Sequence, residues 1–173
     1  MSKIGNFRRL PNCDLERLLA EPELVTGYLY NEDDYQDEEG FGPFADLDVD
    51  KAWHGIHFLL TGSAWGNDPP ECFIVAGGRE IGDVEVGYGP VRGFASSEVK
   101  QIAEMLVAVD EAKLRSCFDP HVMTRDEVYP AHLWKAPPQE HDVLGYLINY
   151  YKKLREFIMN AAQADEALLD YLN

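Results

Sequence analysis

Three side chains capable of acid–base or metal-binding chemistry recur at helical spacing near the start of the chain's most apolar helix-like segment. Asp50, His54 and His57 occupy positions i, i+4 and i+7, which share one side of a helix. A carboxylate and two imidazoles placed in this way can converge on one ion or relay a proton. The structural alternative is that Asp50 caps the helix and hydrogen-bonds to His54, while this polar side faces water or the preceding acidic loop.

The pattern around these residues favours the structural alternative without deciding it. No Glu-x-x-His or His-Glu-x-x-His pattern accompanies the two histidines, so no metal ion and no cofactor are predicted. Asp46, Asp48 and Asp50 imitate the opening of a calcium-binding EF-hand loop. Its sixth position would be Lys51 instead of glycine and its twelfth His57 instead of glutamate, which excludes an EF-hand.

The helix that carries this polar stripe is itself indicated by apolar residues that recur at about 100° per residue. We predict that its apolar side is buried, that Asp48 or Asp50 caps its start, and that Gly62 ends it in a left-handed conformation. Gly55 inside the helix indicates that another backbone passes close by. The predicted buried side consists of Ala52, Trp53, Ile56, Leu59 and Leu60, and Thr61 completes the polar stripe.

A second candidate region is a glycine-rich stretch that is typical of a turn between strands. Gly87-Tyr88-Gly89-Pro90 has the wrong spacing to Gly93 for a dinucleotide-binding loop. Glycine nevertheless lets a ligand approach the backbone, so Tyr88 and Arg92 are predicted to lie at the rim of a pocket. The candidate ligand-binding residues are therefore Asp50, Trp53, His54, His57, Tyr88 and Arg92.

The elements around these segments predict an α+β fold in a single domain spanning residues 1–173, with a small mixed sheet packed against several helices. Strands are predicted at residues 3–10, 71–76 and 91–95, and the longest helix at residues 140–162. The tail at residues 166–173 is equally compatible with a helix and a strand.

The strongest compositional signal is a formal net charge of −16 over 173 residues. Residues 31–45 contain six acids between Glu32 and Glu39 and are predicted to form an acidic surface loop, in which Tyr35, Phe41 and Phe44 tether the loop or contact a partner. Such a charge repels nucleic acid and anionic membranes and attracts basic proteins.

The cysteines and the amino terminus favour a cytoplasmic protein. Cys13, Cys72 and Cys117 are odd in number and widely spaced, which is typical of reduced thiols and not of a disulfide framework. No apolar h-region of a signal peptide occurs near Met1, and no apolar run reaches the roughly 18 residues that span a bilayer.

Several motifs together resemble the bacterial YfbM-like family over nearly the whole chain. They are residues 3–10 (Lys-Ile-Gly-Asn-Phe-Arg-Arg-Leu), residues 47–62 with the run Asp-Lys-Ala-Trp-His-Gly-Ile-His, Gly87-Tyr-Gly-Pro90, Phe118-Asp-Pro120 with Met123, and Tyr129-Pro130 with Trp134. The resemblance implies a single α+β domain of a small bacterial protein that ends in a strand. It implies no activity and no catalytic residue, because the family is one of unknown function.

Two functional hypotheses follow from these observations. The first is a non-enzymatic acidic interaction module that binds or neutralises a basic protein partner such as a toxin. It is motivated by the charge, by the aromatic residues in the acidic loop and by the lack of a recognisable catalytic motif. The alternative is a small-molecule or metal-dependent activity centred on the helix that carries His54 and His57, with Tyr88 and Arg92 nearby.

Overall fold

A five-stranded antiparallel sheet organises the protein, and its middle strand is the last one in sequence. The structure, a computed structural model, describes residues 2–30, 40–135 and 142–173. The strand order is β2-β1-β5-β4-β3, and every neighbouring pair is antiparallel. The strands are β1 (Gly5–Leu10), β2 (Ala45–Asp48), β3 (Arg79–Glu85), β4 (Pro90–Phe94) and β5 (Ala167–Leu172).

Eight α-helices within the described residues surround the sheet. They are α1 (Asn12–Ala20), α2 (Val25–Tyr30), α3 (Ala52–Thr61), α4 (Ser96–Val107), α5 (Glu111–Cys117), α6 (Pro120–Arg125), α7 (Ala131–Lys135) and α8 (Val143–Gln163), with a 3-10 turn at Pro22–Leu24. Across these described ranges, none of the helices combines the length and the apolar character needed to cross a membrane.

The α+β class is confirmed, but two details of the predicted sheet are wrong. The sheet is antiparallel throughout instead of mixed, because even β4 and β5, which are separated by five helices, run in opposite directions. Residues 71–76 form successive turns instead of a strand, with Val75 and Ala76 donating to the carbonyl oxygen of Cys72. An apolar run predicts burial, and a tightly turned segment can be buried as completely as a strand.

The alternation of side chains along the strands divides the interior into two cores. The larger core lies on the face that carries Phe7, Phe94 and Leu168, and the smaller one lies on the face that carries Leu10 and Leu169. Because side chains alternate along a strand, Arg92 and Asp170 point toward the larger core. The two charged residues are also direct partners across β4 and β5.

Helix α3 lies inside the larger core and packs against α5 and α8. Gly62 ends the helix with a φ of 72°, as predicted, but neither aspartate caps its start. The Asp48 carboxylate accepts from the Asp50 amide at 2.5 Å, and the Asp50 carboxylate accepts from the Tyr146 hydroxyl at 3.0 Å. The close neighbours of Gly55 are side chains and not the predicted passing backbone. A Cβ at this position would lie 2.7 Å from Leu147 and 2.9 Å from Trp134.

The predicted acidic loop is only partly covered by the structure. Residues 31–39, including Tyr35, lie outside the described residues, and Ala45 already begins β2. Phe41 and Phe44 pack on Tyr28, with ring centroids 4.6 and 5.8 Å apart, so these two aromatic rings tether the end of the segment to the smaller core. Asp46 pairs with buried Arg8 at 2.7 Å.

Candidate functional site

His54 is completely buried and joins two loops, so the prediction that it faces water or the preceding acidic loop is wrong. The Tyr129 amide donates to Nδ1 at 2.9 Å, which requires the proton on Nε2, and Nε2 donates to the Ala64 carbonyl at 2.6 Å. Burial and the nearby Lys3 ammonium lower the pKa of His54. Both nitrogens are engaged, so this imidazole has no lone pair for a metal ion or a substrate proton.

His57 is equally buried but forms far fewer polar contacts. Its Nε2 lies 3.5 Å from the Thr61 hydroxyl, which donates to the His57 carbonyl at 2.9 Å, and its Nδ1 has no partner among the described residues. Burial, reinforced by His54 and Arg92, lowers the pKa of His57 to about 4. This ring is therefore neutral at pH 7 and enclosed by the core.

Asp50 does not join the two histidines, so the predicted bond from Asp50 to His54 is absent. Its carboxylate accepts from the Tyr146 hydroxyl at 3.0 Å, and its backbone adopts a φ of 50° just before α3. Within the ranges that the structure describes, no three histidine, cysteine, aspartate or glutamate side chains are grouped so as to hold a metal ion. Asp50, His54 and His57 thus lie in three separate environments.

The other three predicted residues do lie together, on a cavity of about 280 Å³ at one end of the sheet. Trp53 enters from α3, Tyr88 from the turn between β3 and β4, and Arg92 from β4. A cavity of this size is close to the lower limit of roughly 300 Å³ for small-molecule sites. The sequence prediction that Tyr88 and Arg92 border a pocket agrees with this geometry.

Aromatic rings form one side of the cavity and continue to its mouth. Trp53 is buried and lies 6.4 Å from Trp65, while Trp65 also contacts His54, with ring centroids 4.3 Å apart. The side chain of Trp65 remains 61% exposed, the highest value of any large hydrophobic residue in the described part of the chain. A ring at this position can stack on a planar ligand that enters the cavity.

A buried ion pair forms the polar floor of the cavity. The Arg92 guanidinium contacts the Asp170 carboxylate and donates to the carbonyl oxygens of Ile74 at 2.8 Å and Gly77 at 3.3 Å. Arg92 thereby fixes the turns of residues 71–76 against the centre of the sheet. Burial raises the pKa of Asp170 to about 7, although the charge of Arg92 acts in the opposite direction.

Asp170, Lys3 and Trp65 are among the cavity residues that the sequence analysis missed, and of these three only Asp170 carries a local signal. Asp170 interrupts the apolar run of β5, and a lone carboxylate in a buried strand is a reason to look for a partner. Lys3 and Trp65 have no distinguishing pattern. They reach the cavity because β1 and β5 pair at the centre of the sheet and because the loop after α3 folds back over His54.

Several polar groups at or next to the cavity are engaged by other groups of the protein. Arg92 and Asp170 on the cavity contact each other. Both nitrogens of His54, behind the aromatic wall, form hydrogen bonds to the backbone. General acid–base work requires a titrating group within hydrogen-bond reach of a bound substrate. Asp170 is the cavity residue with a pKa near neutrality, and Arg92 already occupies its Oδ2 atom.

The fold and the cavity define a single-sheet α+β protein, and comparison with known proteins assigns its family. The profile of a domain of unknown function, DUF1877, matches residues 1–171, so the chain belongs to that family. The structure is similar to the crystal structure of YfbM from Escherichia coli, a protein of unknown function. The TM-score is 0.70 at 18% identity, over 98% of this chain and 99% of the other. No curated protein matches the chain.

Proposed function

We propose that this protein is a non-enzymatic binding protein whose cavity between Trp53, Trp65 and Tyr88 takes up a planar group. The observation that carries the proposal is the exposed ring of Trp65 at the cavity mouth. A large apolar ring held in water beside a concave site gains contacts when a flat ligand covers it.

The rigidity of the walls supports this role. Trp53 donates from its indole nitrogen to the Lys3 carbonyl at 3.2 Å, and the Tyr88 amide donates to the Leu172 carbonyl at 3.0 Å. The Trp53 ring is thus held directly, and the backbone that carries Tyr88 is fixed to the end of β5. A cavity whose walls are ordered before binding avoids part of the entropic cost of ordering them later.

The test is a titration with indole, a neutral planar probe, followed by ligand-observed NMR. We expect saturable binding, and we expect Trp65→Ala to weaken it at least fivefold because base- or ring-stacking contacts contribute roughly 1–3 kcal/mol. Trp65→Phe keeps a ring and should retain most of the affinity. Tyr30→Ala removes another exposed aromatic side chain, 47% exposed and not among the residues lining the cavity, and serves as the matched control.

Two results would contradict the proposal. One is an absence of saturable indole binding by the wild-type protein. The other is an equal loss of affinity in Trp65→Ala and Tyr30→Ala, which would indicate adsorption to exposed rings in general. Because Trp65 is exposed, its removal should leave the thermal midpoint within a few degrees of the wild type, so a lost affinity cannot be attributed to unfolding.

A second candidate function, association with a basic protein partner, is favoured by the distribution of acids at one edge of the sheet. Four exposed carboxylates lie on β3 and on the 3-10 turn packed against it, and none forms an ion pair with another described residue. They are Glu23, Glu80, Asp83 and Glu85. Together with the net charge of −16, this edge would attract a positively charged surface.

Affinity capture at low and high salt tests this second function. A basic partner should be retained at low salt and released at high salt, because exposed charges are screened within about 10 Å at 0.1 M ionic strength. The triple variant Glu80→Gln, Asp83→Asn, Glu85→Gln should lose the partner at low salt as well. Retention of no partner at either salt, or equal retention by the variant, would count against it.

A further inference from the structure

We infer that the cavity selects planar molecules that carry one carboxylate, with the ammonium group of Lys3 as the partner of that charge. The inference rests on the proposed binding function and specifies the ligand class. Its basis is a difference between the two cations on the cavity, one of which is engaged by the protein while the other is available.

Lys3 is the available cation. Its Nζ lies 5.1 Å from the centroid of the Tyr88 ring, and its side chain forms no ion pair with any residue in the described part of the chain. Arg92, in contrast, contacts the Asp170 carboxylate and two backbone carbonyls. A new anion would have to displace these contacts at Arg92, whereas at Lys3 it displaces only water.

The backbone of Lys3 is fixed by the rings next to the cavity. Its amide donates to the Tyr129 hydroxyl at 2.9 Å, and its carbonyl accepts from the Trp53 indole nitrogen at 3.2 Å. The base of the side chain is therefore anchored beside Trp53, and its ammonium lies over Tyr88. A ligand that stacks on the aromatic wall would place a substituent within reach of this ammonium.

The charge of the rest of the protein opposes the binding of an anion. The net charge of −16 repels anions at long range, and Glu80 lies on the same cavity, directly across from Arg92 in the strand register. A preference for a carboxylate over a neutral group can therefore come only from a local cation. The cavity has a volume of about 280 Å³ and one available ammonium group. It therefore suits a ligand with one ring system and a short substituent that carries one negative charge.

The experiment compares three probes with the same ring: indole-3-acetate, indole-3-acetamide and tryptamine, measured by ligand-observed NMR titration. We expect the carboxylate to bind about tenfold more tightly than the amide, because a hydrogen bond to a half-buried charged group contributes at the lower end of its usual range. Tryptamine should bind more weakly than the amide. Lys3→Met should lower the carboxylate affinity to that of the amide measured with the same variant, and Lys3→Arg should restore the preference.

The outcomes separate this inference from the function on which it rests. Equal affinities for the three probes, or a preference for tryptamine, would overturn the ligand class while leaving the binding function intact. An unchanged carboxylate preference in Lys3→Met would overturn the role of Lys3. If none of the probes binds saturably, both the binding function and the ligand class are contradicted. Lys3 is half-buried at the cavity, and the amide affinity of each variant reports whether the aromatic wall is still formed.

Discussion

Arg92→Met is expected to lower the free energy of unfolding by about 3–5 kcal/mol, because it leaves the Asp170 carboxylate buried without its partner. Methionine retains much of the apolar length of arginine, so the main loss is electrostatic. The variant also loses the hydrogen bonds to the carbonyls of Ile74 and Gly77. Urea denaturation monitored by circular dichroism measures the effect.

The pH dependence of this variant identifies the cause. Asp170 has a folded-state pKa of about 7, above the value of 3.8 for an unperturbed side chain, so its proton stabilises the folded state at low pH. This contribution is lost as the pH rises from about 4 through 7. Removal of Arg92 raises the pKa of Asp170 further, because an attractive charge has been deleted. The difference between variant and wild type should therefore be larger at pH 8 than at pH 6.

The double variant Arg92→Met, Asp170→Leu is the control. It removes both charges, so it should recover a large part of the stability that the single variant loses, since apolar replacements of buried ion pairs are often neutral or stabilising. A double variant less stable than Arg92→Met would show that the packing of the turns at residues 71–76 matters more than the charge. A difference from wild type that is constant between pH 6 and pH 8 would exclude the proposed titration of Asp170.

His54→Leu and His57→Leu are expected to differ strongly although the substitution, the helix and the complete burial are the same. His54→Leu leaves the Tyr129 amide and the Ala64 carbonyl without their partner, at a cost of about 2–6 kcal/mol, because each unsatisfied buried group costs roughly 1–3 kcal/mol. His57→Leu replaces a ring whose Nδ1 has no partner among the described residues, so it should be neutral within about 1 kcal/mol or stabilising.

Both variants are measured by urea denaturation at pH 8, where each histidine is neutral in the folded and the unfolded state. At this pH the lowered pKa values of His54 and His57 make no contribution to the difference. Equal destabilisation of the two variants would contradict the interpretation of His54 as a hydrogen-bonded link between loops. A loss of indole binding in His57→Leu, at unchanged stability, would instead indicate that His57 acts on the cavity.

Local sequence patterns predicted the elements whose signals lie within one segment. The apolar periodicity of α3 and its end at Gly62 are examples. The edge strands β2 and β3 were missed for different reasons. Ala45–Asp48 alternates apolar residues with aspartates, but over only four residues that continue an acidic segment. Arg79–Glu85 is rich in charged residues and does not alternate over its whole length. They are strands because β1 and β4 supply their hydrogen bonds.

The residues of the candidate site divide in the same way, into those that a local sequence signal predicted and those that only the tertiary structure brought together. The glycines around Tyr88 led to the prediction of a pocket rim at Tyr88 and Arg92, because close approach to the backbone is a local property, and both residues line the cavity. The sequence could not show that Asp170, which lies 78 residues from Arg92, would be its partner. Pairing of β4 with β5 decides that contact, and with it the polar floor of the cavity.

The sequence by itself determined the acidic charge, the α+β class and the amphipathic identity of α3, since each depends on composition or on spacing along a few turns. The tertiary structure alone decided the role of the polar stripe. Periodicity distinguishes two sides of a helix, but it does not specify what covers the second side. Here the loops at Ala64 and Tyr129 cover it, so His54 became an internal link, while Trp53 from the predicted apolar side reached the cavity.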